Sequence, residues 1–297
     1  MDFTLFLIIL KFTVLSHSIL SIYYNYKVVN MSTKSRIVLV AGSASHGSGS
    51  HEHPGGCSLL ADLLNKHVDG VEAVVTQGWP TEQSIFKDTA AIAIYSDGGG
   101  GHLILPHLDQ VSELIKSGIG LVMMHYAVEV PKGKPGDHFL DWIGGYFETH
   151  LSVNPHWTAD FTSFPEHPVT RGLEPFSLDD EWYYHMRFRQ NMQGVTPLLS
   201  AHPPASTLER PDGPHSGNPH VRKSVANGEP QHLGWCTERN DGGRGIGFTG
   251  GHFHHNWADD QLRKFMLNAI IWAAQVEIPE TGVSTPRPTS EELETYL

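Results

Sequence analysis

Four apolar runs in the first half of the chain constrain its fold more than any other feature. Arg36-Ile-Val-Leu-Val-Ala-Gly42 comes first, followed by residues 71–76, 90–95 and 120–124. Runs this short, apolar and rich in β-branched residues read as strands buried on both faces. Amphipathic segments at 57–66 and 108–117 separate them and read as helices. Strand alternating with helix specifies an α/β fold with a doubly wound, mainly parallel sheet. Such sheets bind ligands just beyond the carboxyl ends of their strands. The residues after each run therefore carry the functional argument.

Those residues are rich in histidine. The chain holds 20 histidines, and imidazole is both the commonest metal-ligating side chain and a near-neutral acid or base. The first run empties into a polar loop, residues 43–56, that carries His46, His51 and His53. The third ends at Asp97, ahead of the glycines 98–101 and His102, and the fourth at His125-Tyr126. A later run, Gly245-Ile-Gly-Phe-Thr249, meets Gly250-Gly251 and then His252, His254, His255 and Trp257. Asp259 reads as the N-cap of an amphipathic helix over 261–274. The glycines of the first loop match neither a dinucleotide fingerprint nor a P-loop, so no nucleotide cofactor is expected.

Beyond His125 the alternation gives way to an elaborated C-terminal half. An aromatic helix is expected over 139–147, with His150 after it. Strands are expected at 158–161, 182–188, 196–201 and 232–237. Residues 203–229, rich in Pro, Gly, Asn and Ser, are too many for a routine connection and read as a lid or an ordered cover. The tail, 277–297, reads as an extended strap or a loose end.

Acidic residues exceed basic ones by 32 to 20, a formal charge of −12, and no basic stripe exists to face a nucleic acid. Two cysteines, Cys57 and Cys236, make neither a thiolate cluster nor a disulfide framework. Residues 1–30 are apolar but interrupted by Lys11 and His17. The first reading is translation from Met31, which leads directly into the first strand and implies a cytoplasmic protein. The other is a poor export signal or a marginal anchor, which implies export or membrane attachment. On either reading 1–30 stands outside the fold, and the folded region is 36–276.

At the strand ends, His46, Asp97, His125, Glu181 and His252 are expected to converge, with His150 and His185 nearby. Three imidazoles and a carboxylate on separate loops suit zinc or a similar divalent ion with one position open. The expected ligands are His46, His125 and His252. Glu181 is either a strand-end charge facing water or, if turned inward beside aromatic rings, a proton-transfer group. On a strand His185 shares its face with Tyr183 and Glu181, so Glu181 and His185 are the expected catalytic pair. Asp97, Tyr126, His150, Trp182, Tyr183 and Trp257 are the expected substrate-binding residues. Trp157, Trp182 and Trp257 either stack on a sugar or belong to the core.

Gly42 to His46, His125 after the fourth strand, His167-Pro168 through Gly172, Asp180-Glu181-Trp182-Tyr183 and Gly250-Gly251-His252 with Trp257 together resemble the ThuA-like family, named for trehalose utilisation. The resemblance covers residues 36–276. It implies a flavodoxin-like fold of the class I glutamine amidotransferase-like superfamily, a role in sugar metabolism and a bound metal. Met124-His125-Tyr126 stands where an amidotransferase keeps its cysteine nucleophile, so amide hydrolysis is not expected. The combined expectation is a metal-assisted isomerase or β-eliminating enzyme acting on a keto-sugar or keto-glycoside. A metal-dependent glycoside hydrolase and a non-catalytic sugar-binding or scaffold module are the alternatives. The expected partner is a small carbohydrate, with a homo-oligomer possible in principle and a membrane relevant only if 1–30 is retained.

Overall fold

Ile37, Leu39 and Ala41 pack into one apolar cluster and Val38 and Val40 into another, all fully buried. A strand with two apolar faces needs a layer on each side. In the computed structural model, which describes residues 34–297, this strand is β1 (Ser35–Ala41). It lies in a seven-stranded sheet of order β2 (Val71–Gln77), β1, β3 (Thr89–Tyr95), β4 (Gly120–Met124), β11 (Arg244–Phe248), β10 (Gln231–Glu238) and β9 (Val195–Ala201). Strands β2 to β11 in that order are parallel, and β10 runs antiparallel to both its neighbours. The first four strands have the flavodoxin-like order, with its reversal between β1 and β3.

Helices α1 (His53–His67) and α5 (Asp260–Ala273) pack on one face, and α2 (Leu108–Lys116) and α3 (Lys134–Ile143) on the other. Helix α1 starts with Pro54 in its first turn, where the missing N–H has no intrahelical partner to lose. It buries Leu59, Leu60, Leu63 and Leu64, each contributing about 1.5–3 kcal/mol. Asp259 caps α5, accepting from the amides of Gln261 and Leu262 at 2.9 and 2.8 Å, worth about 1 kcal/mol. Ser35–Leu297 form one compact unit. Residues 1–30, and the alternatives proposed for them, lie outside the described residues. Among the described residues no helix is long and apolar enough to cross a membrane.

Two sequence expectations fail here for local reasons. The aromatic helix ends at Ile143 because Gly144 takes a left-handed cap (φ 84°), and β5 (Gly145–Tyr146) follows, paired with β8 (Arg187–Phe188). Of the strand expected over 182–188 only β8 forms. The chain instead pairs β6 (Trp157–Phe161) with β7 (Phe176–Asp180), then leaves the ladder at Glu181. His185, at φ 57°, breaks any period of two. Residues 203–229 are an ordered cover that includes α4 (Pro219–Ala226). The tail is a strap: Ile278, Val283 and Leu293 are buried, and α6 (Ser290–Glu294) opens with a capping box from Thr289 and Glu292.

Candidate metal centre

The loop after β1 and the loop after β11 are stitched together through their backbones. His51 N–H donates to the His252 carbonyl at 2.9 Å, His254 N–H to that of Gly49 at 2.9 Å, and Ser50 bridges Phe253. His51 (φ 49°) and His125 (φ 55°), directly after β4, both hold left-handed backbone. That costs a non-glycine residue about 1–3 kcal/mol and persists only where its surroundings enforce it. The Asp180 carboxylate, fully buried at the end of β7, provides part of that enforcement. It accepts from the amides of Gly251 and His252 at 2.9 Å, from Glu181 N–H at 2.7 Å and from Asn256 Nδ2 at 3.0 Å. These bonds fix where Glu181 and His252 emerge.

Four side chains then converge: His51, His125, Glu181 and His252. Nε2 of His51 lies 3.0 Å from Nε2 of His125 and 3.0 Å from Nδ1 of His252. Oε2 of Glu181 lies 3.1 Å from Nδ1 of His252, 3.5 Å from Nε2 of His125 and 4.0 Å from Nε2 of His51. Ligand atoms arranged tetrahedrally around zinc at 2.0–2.1 Å stand about 3.3–3.4 Å apart. The observed separations bracket that spacing.

The protonation pattern points the same way. His125 Nδ1–H donates to the Thr249 carbonyl at 2.8 Å, and His51 Nδ1–H to Asp97 Oδ1 at 2.9 Å. Each neutral ring then keeps a lone pair on Nε2. Tyr183 Oη lies 3.2 Å from Glu181 Oε2, to which it donates, and 3.2 Å from His125 Nε2. When both rings are neutral, two buried acceptors face each other, an arrangement that a cation resolves. The carbonyl and the carboxylate behind the rings are the outer partners that orient ligating histidines. The donor set fits a divalent ion of the zinc type.

Charge reinforces this reading. Burial pushes the His51 imidazole down to about 4, against the pull of Asp97, so it is neutral at pH 7. Burial alone would raise Glu181, but hydrogen bonds and charge from His125 and His252 outweigh it and hold its carboxyl well below the usual range. Asp97 is likewise raised by burial yet lowered overall to about 2 by His51, Ser45 and His53.

Of the expected ligands, His125 and His252 are in the cluster and His46 is beside it. The His46 side chain is 50% exposed, with its ring 3.9 Å from that of His51, and His51 occupies the inward position. Tyr183 joins the cluster, Asp97 backs His51, and half-buried Tyr126 walls it at 5.9 Å from the His51 ring. The others stand elsewhere. His185 packs on His220, so the Glu181–His185 pairing, which needed a strand, is not formed. His150 is exposed, and its backbone anchors the cover through Pro214 and Asn218. Trp182 and Trp257 are core, as is Trp157, which donates to the Trp182 carbonyl. Sequence reasoning missed Asn154, whose Nδ2 donates to Glu181 Oε1 at 3.0 Å, and His156, whose Nε2 lies 3.9 Å from the same oxygen. Only their place in a polar stretch before an expected strand could have marked them.

The family model described as ThuA, trehalose utilisation, matches residues 37–273. The chain belongs to the ThuA family. Among solved structures, a thua-like protein from Bacteroides uniformis ATCC 8492 superposes with a TM-score of 0.57 at 20% identity, covering 84% of this chain and 94% of its own. A thua-like protein from Parabacteroides merdae ATCC 43184 gives 0.54 at 13% identity, covering 86% and 98%. At these identities the likeness is one of fold. Comparison with curated proteins finds no match. Family membership suggests a carbohydrate-related role for this ThuA protein.

Proposed function

We propose that this ThuA protein is an enzyme that isomerises, or eliminates across, a keto-sugar or keto-glycoside with a divalent cation held by His51, His125 and His252. The observation that carries the reading is the pair of inward lone pairs on His51 and His125, closed off by His252 and Glu181. A cation bound there would polarise a sugar carbonyl or hydroxyl. Glu181 balances its charge through Oε2 and is oriented through Oε1 by Asn154. A carboxylate held so far below its usual range is a good ligand but a weak base, because proton transfer is most effective when the group's pKa lies near the working pH.

That moves proton transfer to His156. Its side chain is 51% exposed, Nε2 is 3.9 Å from Glu181 Oε1, and its ring meets His252 edge-on at 4.9 Å. Nε2 of His156 takes the proton from the carbon beside the carbonyl. In isomerisation it returns that proton to the former carbonyl carbon, while the adjacent hydroxyl's proton passes to the former carbonyl oxygen; in elimination it gives the proton to the departing glycosidic oxygen. The burial of Trp157, Trp182 and Trp257 counts against a binding module, which would need such rings at the surface.

The test is a panel of 3-keto-glycosides and their unoxidised parents, assayed with the full chain before and after Zn2+ addition. Turnover of keto substrates that needs the cation and is lost in His125→Ala and His156→Ala supports the reading. Cleavage of unoxidised glycosides instead would move the assignment to hydrolysis. No turnover of any keto-sugar with any divalent ion would overturn it.

A further inference from the structure

The cover, residues 203–229, brings one of its own side chains to the edge of the candidate site. Its tip is a tight turn in which Gly213 bridges Ser216. The turn is pinned by backbone bonds: His150 N–H donates to the Pro214 carbonyl at 2.8 Å and Asn154 N–H to the His215 carbonyl at 3.2 Å. Asn154 is the residue that holds Glu181 Oε1, and Arg210 of the cover donates to its Oδ1 at 2.8 Å. His215 is thus separated from the carboxylate of the cluster by a single residue.

The His215 ring is set between Phe147 and a buried carboxylate. Phe147 lies 5.3 Å from it and 5.4 Å from Tyr183, which bonds the cluster. On the other side, His215 Nε2–H donates to Glu129 at 2.9 Å from Oε1 and 3.1 Å from Oε2. The Glu129 side chain is 4% exposed, and apart from Thr149 Oγ1 at 3.5 Å it has no other side-chain donor among the described residues. A carboxylate so buried needs its partner. The proton on Nε2 is therefore fixed, and Nδ1 is left to bond something else. Among the described residues Nδ1 is neither bonded nor enclosed. A buried carboxylate behind an imidazole with a free far nitrogen is how proteins aim a histidine at a reactant.

Tyr126 continues the wall. Its ring stands 5.9 Å from that of His51 and edge-on to Tyr183 at 6.4 Å, and its Oη is likewise unbonded and accessible among the described residues. Glycine keeps the space beside it open. A Cβ on Gly99, at φ 64°, would stand 3.4 Å from Glu129 Oε1 and 3.5 Å from Tyr126 Oη, and one on Gly100 or Gly101 would meet nothing within 4 Å.

We infer that His215, supplied by the cover and oriented by Glu129, joins Tyr126 in a subsite that recognises a ring hydroxyl of the sugar. Imidazole and phenol both donate and accept, as a hydroxyl does. The inference rests on the carbohydrate substrate proposed above and not on the reaction performed on it.

Calorimetry tests it on full-length His156→Ala protein with Zn2+, a background in which the ligand is not consumed. The titrants are methyl 3-keto-glucoside and its 2-, 4- and 6-deoxy counterparts. Loss of one hydroxyl is expected to weaken binding about 10- to 100-fold, the range of a charge-assisted hydrogen bond. Adding His215→Ala should weaken the parent by the same factor and abolish its advantage over that one deoxy sugar. Glu129→Gln, which keeps an acceptor but not the charge, should show the same selective loss at smaller size. Circular dichroism checks that each variant folds. If His215→Ala weakened all four sugars equally, the side chain would only hold the cover down, and the subsite would be overturned, as it would by no change at all. Selective binding without turnover in the wild type would sink the proposed reaction and leave the subsite standing. No binding of any of the four would overturn the subsite.

Discussion

His51 and His125 face each other through their Nε2 atoms across 3.0 Å, each ring donating its Nδ1–H to an acceptor on its far side. The backbone conformation of both residues is left-handed, so the contact is built by the loops and not by rotamer choice. The first prediction follows. Zn2+ at about 100 times its Kd should stabilise the protein by about 2.7 kcal/mol, a rise in melting temperature of roughly 5 °C for a chain of this size. Less than half of that shift should survive in His125→Ala. An equal shift in wild type and variant would separate the cation from this pair.

The His156 side chain is half exposed and packs its ring against His252 and Phe253 at the edge of the site. His156→Ala should therefore fold normally, keep the cation and lose about 100-fold or more in turnover, the usual range for removing a general acid–base group. A variant with normal turnover, or one that no longer binds the ion, would contradict the role given to it.

Asp180 accepts from three backbone amides and one side-chain amide, all buried. Asparagine at that position must aim an NH2 at one of those donors. Asp180→Asn should cost about 2–4 kcal/mol in urea unfolding, the loss of charge-assisted bonds plus one unmet donor. It should also weaken the cation site, because Glu181 and His252 emerge from that clamp. A loss under 1 kcal/mol would mean the loops hold themselves.

Much of this architecture could be read from the chain before any coordinates. Arg36 to Gly42 and the runs after it are buried on both faces, so their apolarity shows in any window, and Asp259 sits where a cap must. The site was legible only as a neighbourhood. Three histidines share the loop after β1, and composition does not say which one turns inward. The Ser50–Phe253 bridge and the His51–His252 backbone bond decide that, and both depend on a segment some 200 residues away. Glu181 stands in the cluster and His185 apart from it, because the period of two expected across them ends with β7 at Asp180.

Acid stability offers a prediction remote from the cluster. Arg187 makes two hydrogen bonds to Glu148, at 2.9 and 3.1 Å, and outweighs burial in lowering that carboxyl to about 2, with Tyr146 and Lys132 assisting. A depressed carboxylate stabilises the fold fully above its ordinary range and loses that contribution as pH falls towards 2. Urea midpoints of the wild type and Glu148→Gln should therefore differ most at pH 6 and converge between pH 4 and 2. A gap that stays constant with pH would remove the carboxylate from the explanation.

His51 and His252 stand 201 positions apart in the chain, yet they meet in one contact. A growing polypeptide carries the first of them long before the second exists, and β11 must dock beside β4 before the last ligand arrives. Until then it offers only scattered imidazoles, which hold an ion weakly. Pairing across such separations is also slow, because loop closure precedes any reward. An ion held by this cluster would therefore be taken up last, at a rate that reads out how fast the two ends of the sheet find each other.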